Sequence, residues 1–182
     1  MQIQVPHEHA HEPYGFAART LAPDIMTAAG AFSEAVYGHS SLSLREFEGA
    51  RVRTAQINGC VICQGFRAAR DLPSLYSGRL ARSVIDNGDA PDEAFYEAAQ
   101  TGTRSPLFSA REWLAIQFAE RFGTEPKALA ADAEFWTQMH ECFSDAEIVD
   151  LAHCVAAWTG LGRVAHVLGF DEVCLVPQHA EA

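Results

Sequence analysis

No segment of the chain shows apolar/polar alternation sustained over a strand length; the apolar positions fall instead in helix-like runs. Pro23 can occupy the first turn of a helix running to about Tyr37, with Gly38 near its end. Ser43-Leu44-Arg45-Glu46 fits a capping box, in which a hydroxyl and a carboxylate satisfy each other's backbone N–H groups. The helix it opens is predicted to reach about Ile57 and to stop at Asn58-Gly59, and the next to run from near Cys60 to Arg70, with Pro73 beyond. Residues 74–87 read as a further helical stretch closed by Asn87-Gly88, and Pro91 as the opening of a short helix to about Gln100. After a loop over 101–106, Ser109-Ala110-Arg111-Glu112 forms a second capping box. It heads a helix with Trp113, Leu114, Ile116 and Phe118 that closes at Gly123. Residues 126–142 read as helical, with Phe135, Trp136 and Met139 on one side. Ser144-Asp145-Ala146-Glu147 is the third box; its helix is predicted to end at Gly160, and a last helix to span Gly162 to Leu168 before Gly169. The expectation is an all-α fold, a compact bundle of short helices. Residues 1–20 form an N-terminal arm and residues 21–182 one helical domain.

Composition agrees with this class. The chain has 182 residues, of which 48% are hydrophobic and 20% charged, enough for one domain with a core. A formal net charge of -11 argues against nucleic acid or an anionic membrane as the main partner. No apolar run approaches the roughly 18 residues that would span a bilayer. The first residues have neither a basic nor an apolar segment of the secretory kind, so the expected location is cytoplasmic. His7, His9 and His11 alternate with Glu8 and Glu12 in the arm. Three local imidazoles without a fixed scaffold hold a metal loosely, so the arm reads as a polar terminus.

The chemistry concentrates in Asn58-Gly59-Cys60-Val61-Ile62-Cys63-Gln64, where two cysteines at three-residue spacing open a helix-like run. That spacing puts both sulfurs on nearly one face, within disulfide reach. As half of a zinc site the pair lacks a second CxxC, and haem attachment would need a His where Gln64 stands. Buried inert cysteines are the plain alternative to redox chemistry. Arg67, four residues after Cys63, would lie one turn on and hold a thiolate. Glu48, twelve residues before Cys60, could fold back over the cysteine helix as an ion-pair partner or proton carrier. Trp113, Trp136 and Trp158 read as core or interface residues, and His140, His153 and His166 as satisfied helix residues. Cys142, Cys154 and Cys174 read as structural.

From about Leu42 to Leu168 the chain resembles the carboxymuconolactone decarboxylase / alkyl hydroperoxidase D-like family. The resemblance rests on Ser43 to Glu48 leading into Cys60-Val61-Ile62-Cys63, on Leu107 to Glu112 with Ala115, Ala119 and Glu120, and on Phe143 to Leu151 with Gly162-Arg163. A Glu, eleven intervening residues and then CxxC is the family spacing, and Glu48, Cys60 and Cys63 fill it. The resemblance implies an all-α fold assembling as a homo-oligomer (trimer, hexamer or dimer) and a peroxide-reducing dithiol. It makes the Cys63 thiolate the attacker of the O–O bond and Cys60 the partner that condenses with the resulting sulfenic acid. An external dithiol, on a protein or a lipoyl group, would then reset the pair. A helix dipole alone would favour Cys60 as the reactive sulfur; the resemblance and Arg67 favour Cys63 and leave Cys60 as the more exposed sulfur that meets the reductant. No cofactor or metal is implied.

One position departs from the family. Its relay His, four residues after the second cysteine, is Arg67 here, and an Arg cannot give up a proton at ordinary pH. Glu48, a water or another His must then protonate the leaving group. Two other readings remain open at this level: a decarboxylase or lactone enzyme with Arg67 on a substrate carboxylate, and a non-catalytic oligomeric module.

Overall fold

The computed structural model describes residues 1–76 and 80–172. Among these are ten α-helices and no strand: α1 (Pro13–Phe16), α2 (Pro23–His39), α3 (Leu44–Asn58), α4 (Val61–Gly65), α5 (Ala68–Leu75), α6 (Glu93–Thr101), α7 (Ala110–Thr124), α8 (Pro126–Ala131), α9 (Ala133–Cys142) and α10 (Asp145–Leu168). The fold is all-α, as the patterning predicts.

The three capping boxes form at Ser43, Ser109 and Ser144. The first two also cross-link their helices. Glu46, which caps α3, accepts from Arg111 Nε at 2.5 Å, and Glu112, which caps α7, accepts from Arg45 Nε at 2.5 Å. Each Ser-x-Arg-Glu run thus supplies an acid to its own helix start and a base to the other. Arg111 reaches the third box too, donating to Glu147 Oε1 at 2.6 Å. The Ser144 backbone N–H and this guanidinium hold the Glu147 carboxyl down at about 2.

Helix α3 is the axis of the fold. It packs most extensively against α7, then α10 and α6. On one side Phe47, Leu44 and Ala50 join Leu114, Ala115, Phe118, Leu151 and Val155; on the other, Val52 joins Phe95, Tyr96 and Ile116. Gly49 allows the second contact, since a Cβ there would meet Ile116 at 3.0 Å. Being buried on both sides, α3 must pair its charges inside the protein, and Glu46, Glu48 and Arg51 are all buried.

Five predicted features differ from the structure. The helix expected from Cys60 to Arg70 is two pieces, because Phe66 and Arg67 take extended backbone conformations between α4 and α5. Pro73 lies inside α5 rather than beyond a helix end, and the stretch expected over 74–87 holds only a short turn at Val84–Asp86 after α5, among the described residues. Asp132 splits 126–142 by capping α9 at the Phe135 N–H. Conversely, α10 runs straight through Gly160 and Gly162. Gly162 serves packing rather than termination: a Cβ there would lie 2.7 Å from Asn58 Nδ2, which donates to Trp158 O at 2.8 Å.

In the N-terminal stretch His9 pairs with Glu12 and stacks on Phe16, and Tyr14 packs edge-on against Phe170. Cys154 is buried, donates to Asp150, and has its thiol pKa pushed well up by burial and then by that carboxylate. Cys142 is also a free thiol, and Cys174 lies outside the described residues.

Candidate active site

Helix α3 ends at Asn58 because Gly59 takes a left-handed conformation, φ 73°, which a side chain would disfavour. The reversal delivers Cys60 to the N-cap of α4, where its sulfur accepts from the Cys63 N–H at 3.3 Å. Cys60 and Cys63 are joined as a disulfide, with Cα atoms 5.3 Å apart. The closeness of the two sulfurs expected from their spacing is therefore observed.

Their exposures reverse the expectation. Cys60 is 1% exposed, whereas Cys63 is half-buried and lines a cleft. The N-cap role turns Cys60 inward, and the chain past α10 closes over its helix. Asp171, itself buried, accepts the Val61 N–H at 3.2 Å and binds His166 Nδ1 at 2.9 Å, and the His166 ring lies against Gly59. Cys63, not Cys60, is the more exposed cysteine.

Beneath α4 lies a buried ion pair. Arg51 Nε donates to Glu48 Oε1 at 2.5 Å and Arg51 Nη2 to Glu48 Oε2 at 3.1 Å. The same guanidinium donates to Cys63 O at 2.7 Å and to Phe66 O at 2.5 Å, carbonyls at the frayed end of α4. Glu48 Oε2 also accepts from Tyr96 Oη at 2.6 Å and from the Ala68 N–H at 3.2 Å. Burial opposes the Arg51 charge, but Glu48 outweighs it and keeps the guanidinium firmly protonated. Burial, then the Glu48 charge, pushes the Tyr96 phenol pKa well up, so it stays a donor.

Arg67 is not placed as the spacing suggests. The four-residue rule needs an unbroken helix, and the backbone leaves α4 at Phe66. As N-cap of α5, Arg67 directs its guanidinium over the Tyr96 ring, 3.9 Å from the centroid. It pairs with Glu93 at 2.8 Å and donates to Gln64 O and Phe66 O. It does not line the cleft with Cys63. The cation bonded to Cys63 itself, through its carbonyl, is Arg51, which the spacing argument passed over, although Glu48 and Arg51 stand at pairing distance on one helix. Glu48 reaches that segment through Arg51.

The cleft has a volume of about 210 Å³ and lies between α2, α3, α4 and α10. Cys63, Ile62, Phe66, Leu161, Tyr37 and Trp158 are among its lining residues, so most of its wall is apolar. Tyr37 and Trp158 were legible in the sequence only as a helix end and a core residue. The other tryptophans sit as expected: Trp136 donates to Leu129 O and Trp113 stacks on Phe108. Among the described residues no group of three or more His, Cys, Asp or Glu is arranged to hold a metal ion, and no helix is long and apolar enough to cross a membrane.

No family model matches the chain, and no curated protein matches it. Among solved structures the chain is similar to a protein of unknown function from Agrobacterium tumefaciens, itself only suggested to be an antioxidant defence protein, AhpD. The two superpose with a TM-score of 0.63 over 91% of this chain and 96% of that one, at 19% identity. The likeness is one of fold, and it agrees with the alkyl hydroperoxidase D-like architecture expected from the resemblance.

Proposed function

We propose that the Cys60–Cys63 pair is the working dithiol of a peroxide-reducing enzyme, with Cys63 as the attacking sulfur. The observation that carries this reading is the placement of Cys63: bonded to Cys60, yet open to an apolar cleft. In the reduced enzyme the Cys63 thiolate attacks the terminal oxygen of a hydroperoxide. The O–O bond breaks, the sulfur is oxidised to a sulfenic acid, and an alkoxide or hydroxide departs to take a proton from water. The Cys60 thiol then condenses with the sulfenic acid, forming the disulfide and releasing water. An external dithiol, on a protein or a lipoyl group, reduces the disulfide by exchange. With Cys60 covered, exchange begins at Cys63, the more exposed cysteine.

The surroundings disfavour a carboxylate-binding lactone enzyme. Arg51, Arg53, Arg67 and Arg70, the guanidinium groups on either side of the cysteine pair in sequence, are already paired with Glu48, Glu120, Glu93 and Asp71. Assembly into homo-oligomers belongs to the same proposal; Leu21, Ile25 and Phe32 leave apolar surface exposed around α2 that copies of the chain could share.

The test is a thiol count on reduced protein before and after a hydroperoxide pulse. Two thiols are expected to disappear in the wild type and in Cys142→Ser, and no disulfide to form in Cys63→Ser. Retention of both thiols after the pulse would sink the proposal, as would undiminished peroxide turnover by Cys63→Ser.

A further inference from the structure

Resting on the dithiol reading, the turn after α10 bears on which sulfur the resetting thiol attacks. Two contacts from this end of the chain flank Cys60. On one side the His166 ring lies against Gly59, where a Cβ would come within 3.0 Å of its Nε2. On the other, Asp171 Oδ2 accepts the Val61 N–H at 3.2 Å. The same oxygen meets His166 Nδ1 at 2.9 Å, and a carboxylate can only accept, so His166 donates there. These two donors are what a buried carboxylate needs: Asp171 is 4% exposed, and Cys60 between the two contacts is 1% exposed. The turn is braced in its place from the N-terminal arm. The Gln2 N–H donates to Leu168 O at 3.0 Å, the Met1 ammonium lies 3.5 Å from Glu172 Oε2, and Tyr14 packs edge-on against buried Phe170.

We infer that Asp171 is a positioning residue that withholds Cys60 and so directs the resetting thiol to Cys63. Exchange requires access to the sulfur under attack. Cys63 lines the cleft and Cys60 does not, and the bond from Asp171 to Val61 pins the start of α4 under the turn. The incoming thiolate gives its electron pair to the Cys63 sulfur, the S–S bond breaks, and Cys60 leaves as a thiolate. It leaves toward a donor already in place, the Cys63 N–H at 3.3 Å. The buried negative charge of Asp171 then favours protonation of that thiolate from water. Cys60 is left as the thiol that the next condensation needs. The second thiol of the reductant displaces the first from Cys63, whose thiolate is free for the next peroxide.

The experiment treats oxidised full-length protein with glutathione, quenches with N-ethylmaleimide, and maps the glutathione adduct by mass spectrometry. Wild type is expected to carry it on Cys63, with the freed Cys60 capped. In Asp171→Ala the ratio of Cys63 to Cys60 adduct is expected to fall about 10-fold, the worth of one charge-assisted hydrogen bond. Asp171→Asn, whose amide oxygen can still accept the Val61 N–H, is expected to keep most of the wild-type preference. Adduct mainly on Cys60 in wild type would overturn the inference, as would an Asp171→Ala ratio within twofold of wild type or Asp171→Asn shifting as far as Asp171→Ala. Buried Cys154 reports on the fold through its own capping. Where Asp171→Ala caps Cys154 too, His166→Gln decides instead, with a fall of about 3-fold for a weaker contact expected and no fall overturning the inference. The peroxide pulse on reduced wild type is read separately. Thiols lost to the pulse without a shift in adduct position overturn this inference alone; thiols retained overturn the dithiol reading and the reset step with it.

Discussion

Arg51 with Glu48 and Arg67 with Glu93 bracket the cysteine segment, the first pair beneath it and the second at its rim. Both guanidiniums donate to Phe66 O, and both join the Tyr96 side chain, Arg67 through the ring face and Arg51 through the carboxylate that the phenol binds. They differ in their access to water. The side chains of Glu48 and Arg51 are 0% and 3% exposed, whereas Glu93 is 66% exposed. The buried pair must satisfy its atoms locally, and Cys63 O, Phe66 O, Ala68 N–H and Tyr96 Oη do this. The rim pair can exchange partners with solvent. A position near Cys63 in sequence is thus a poor guide to which cation organises its backbone; the desolvated one has no alternative partners and so holds that backbone in place.

The largest expected effect comes from breaking the lower pair. Arg51→Met strands a buried carboxylate and two carbonyls, and urea unfolding should show a loss of about 3–5 kcal/mol. Adding Glu48→Gln should recover part of it, since the uncompensated charge is then gone. A single variant within 1 kcal/mol of wild type would show that the two pairs are equivalent after all. Arg67→Gln should cost about 1 kcal/mol or less by the same measurement, because its ion pair is screened and only the aromatic contact is sheltered.

The smallest effect is one of pH. The Arg67 hydrogen bond holds the Glu93 carboxyl below the ordinary glutamate range. A carboxylate with a lowered folded-state pKa contributes stability above its unfolded value and loses it as pH falls through the folded one. The difference between wild type and Arg67→Gln should therefore shrink on acidification below that range. A gap in urea midpoint that stays constant or widens toward low pH would contradict the assignment of Glu93 as the partner.

Much of the fold was legible because helix starts are written locally. Ser43, Ser109 and Ser144 cap within three residues, and Asn58-Gly59 stops α3 through the conformation of a single glycine. What failed depended on contacts across the chain. Gly160 and Gly162 look like a helix end, yet Asn58 packs where a Cβ at 162 would sit and α10 passes through. The closeness of Cys60 and Cys63 followed from their spacing. Arg67 was misplaced because helical spacing was carried across the break at Phe66, and Arg51 was overlooked because nothing in α3's many charges announces burial on both sides. The covering of Cys60 by Asp171 and His166 rests on residues far along the chain, which no local pattern connects.

That covering has a consequence for how the protein is made. Helix α4 has five residues, too few to persist unaided in water. Its far end is gripped by Arg51, already present when Cys63 leaves the ribosome, but its near end waits for Asp171, which arrives 110 residues after Val61. Both thiols are therefore born into an unfinished setting, and the order of synthesis makes the cysteine pair one of the last parts of the molecule to acquire its shape.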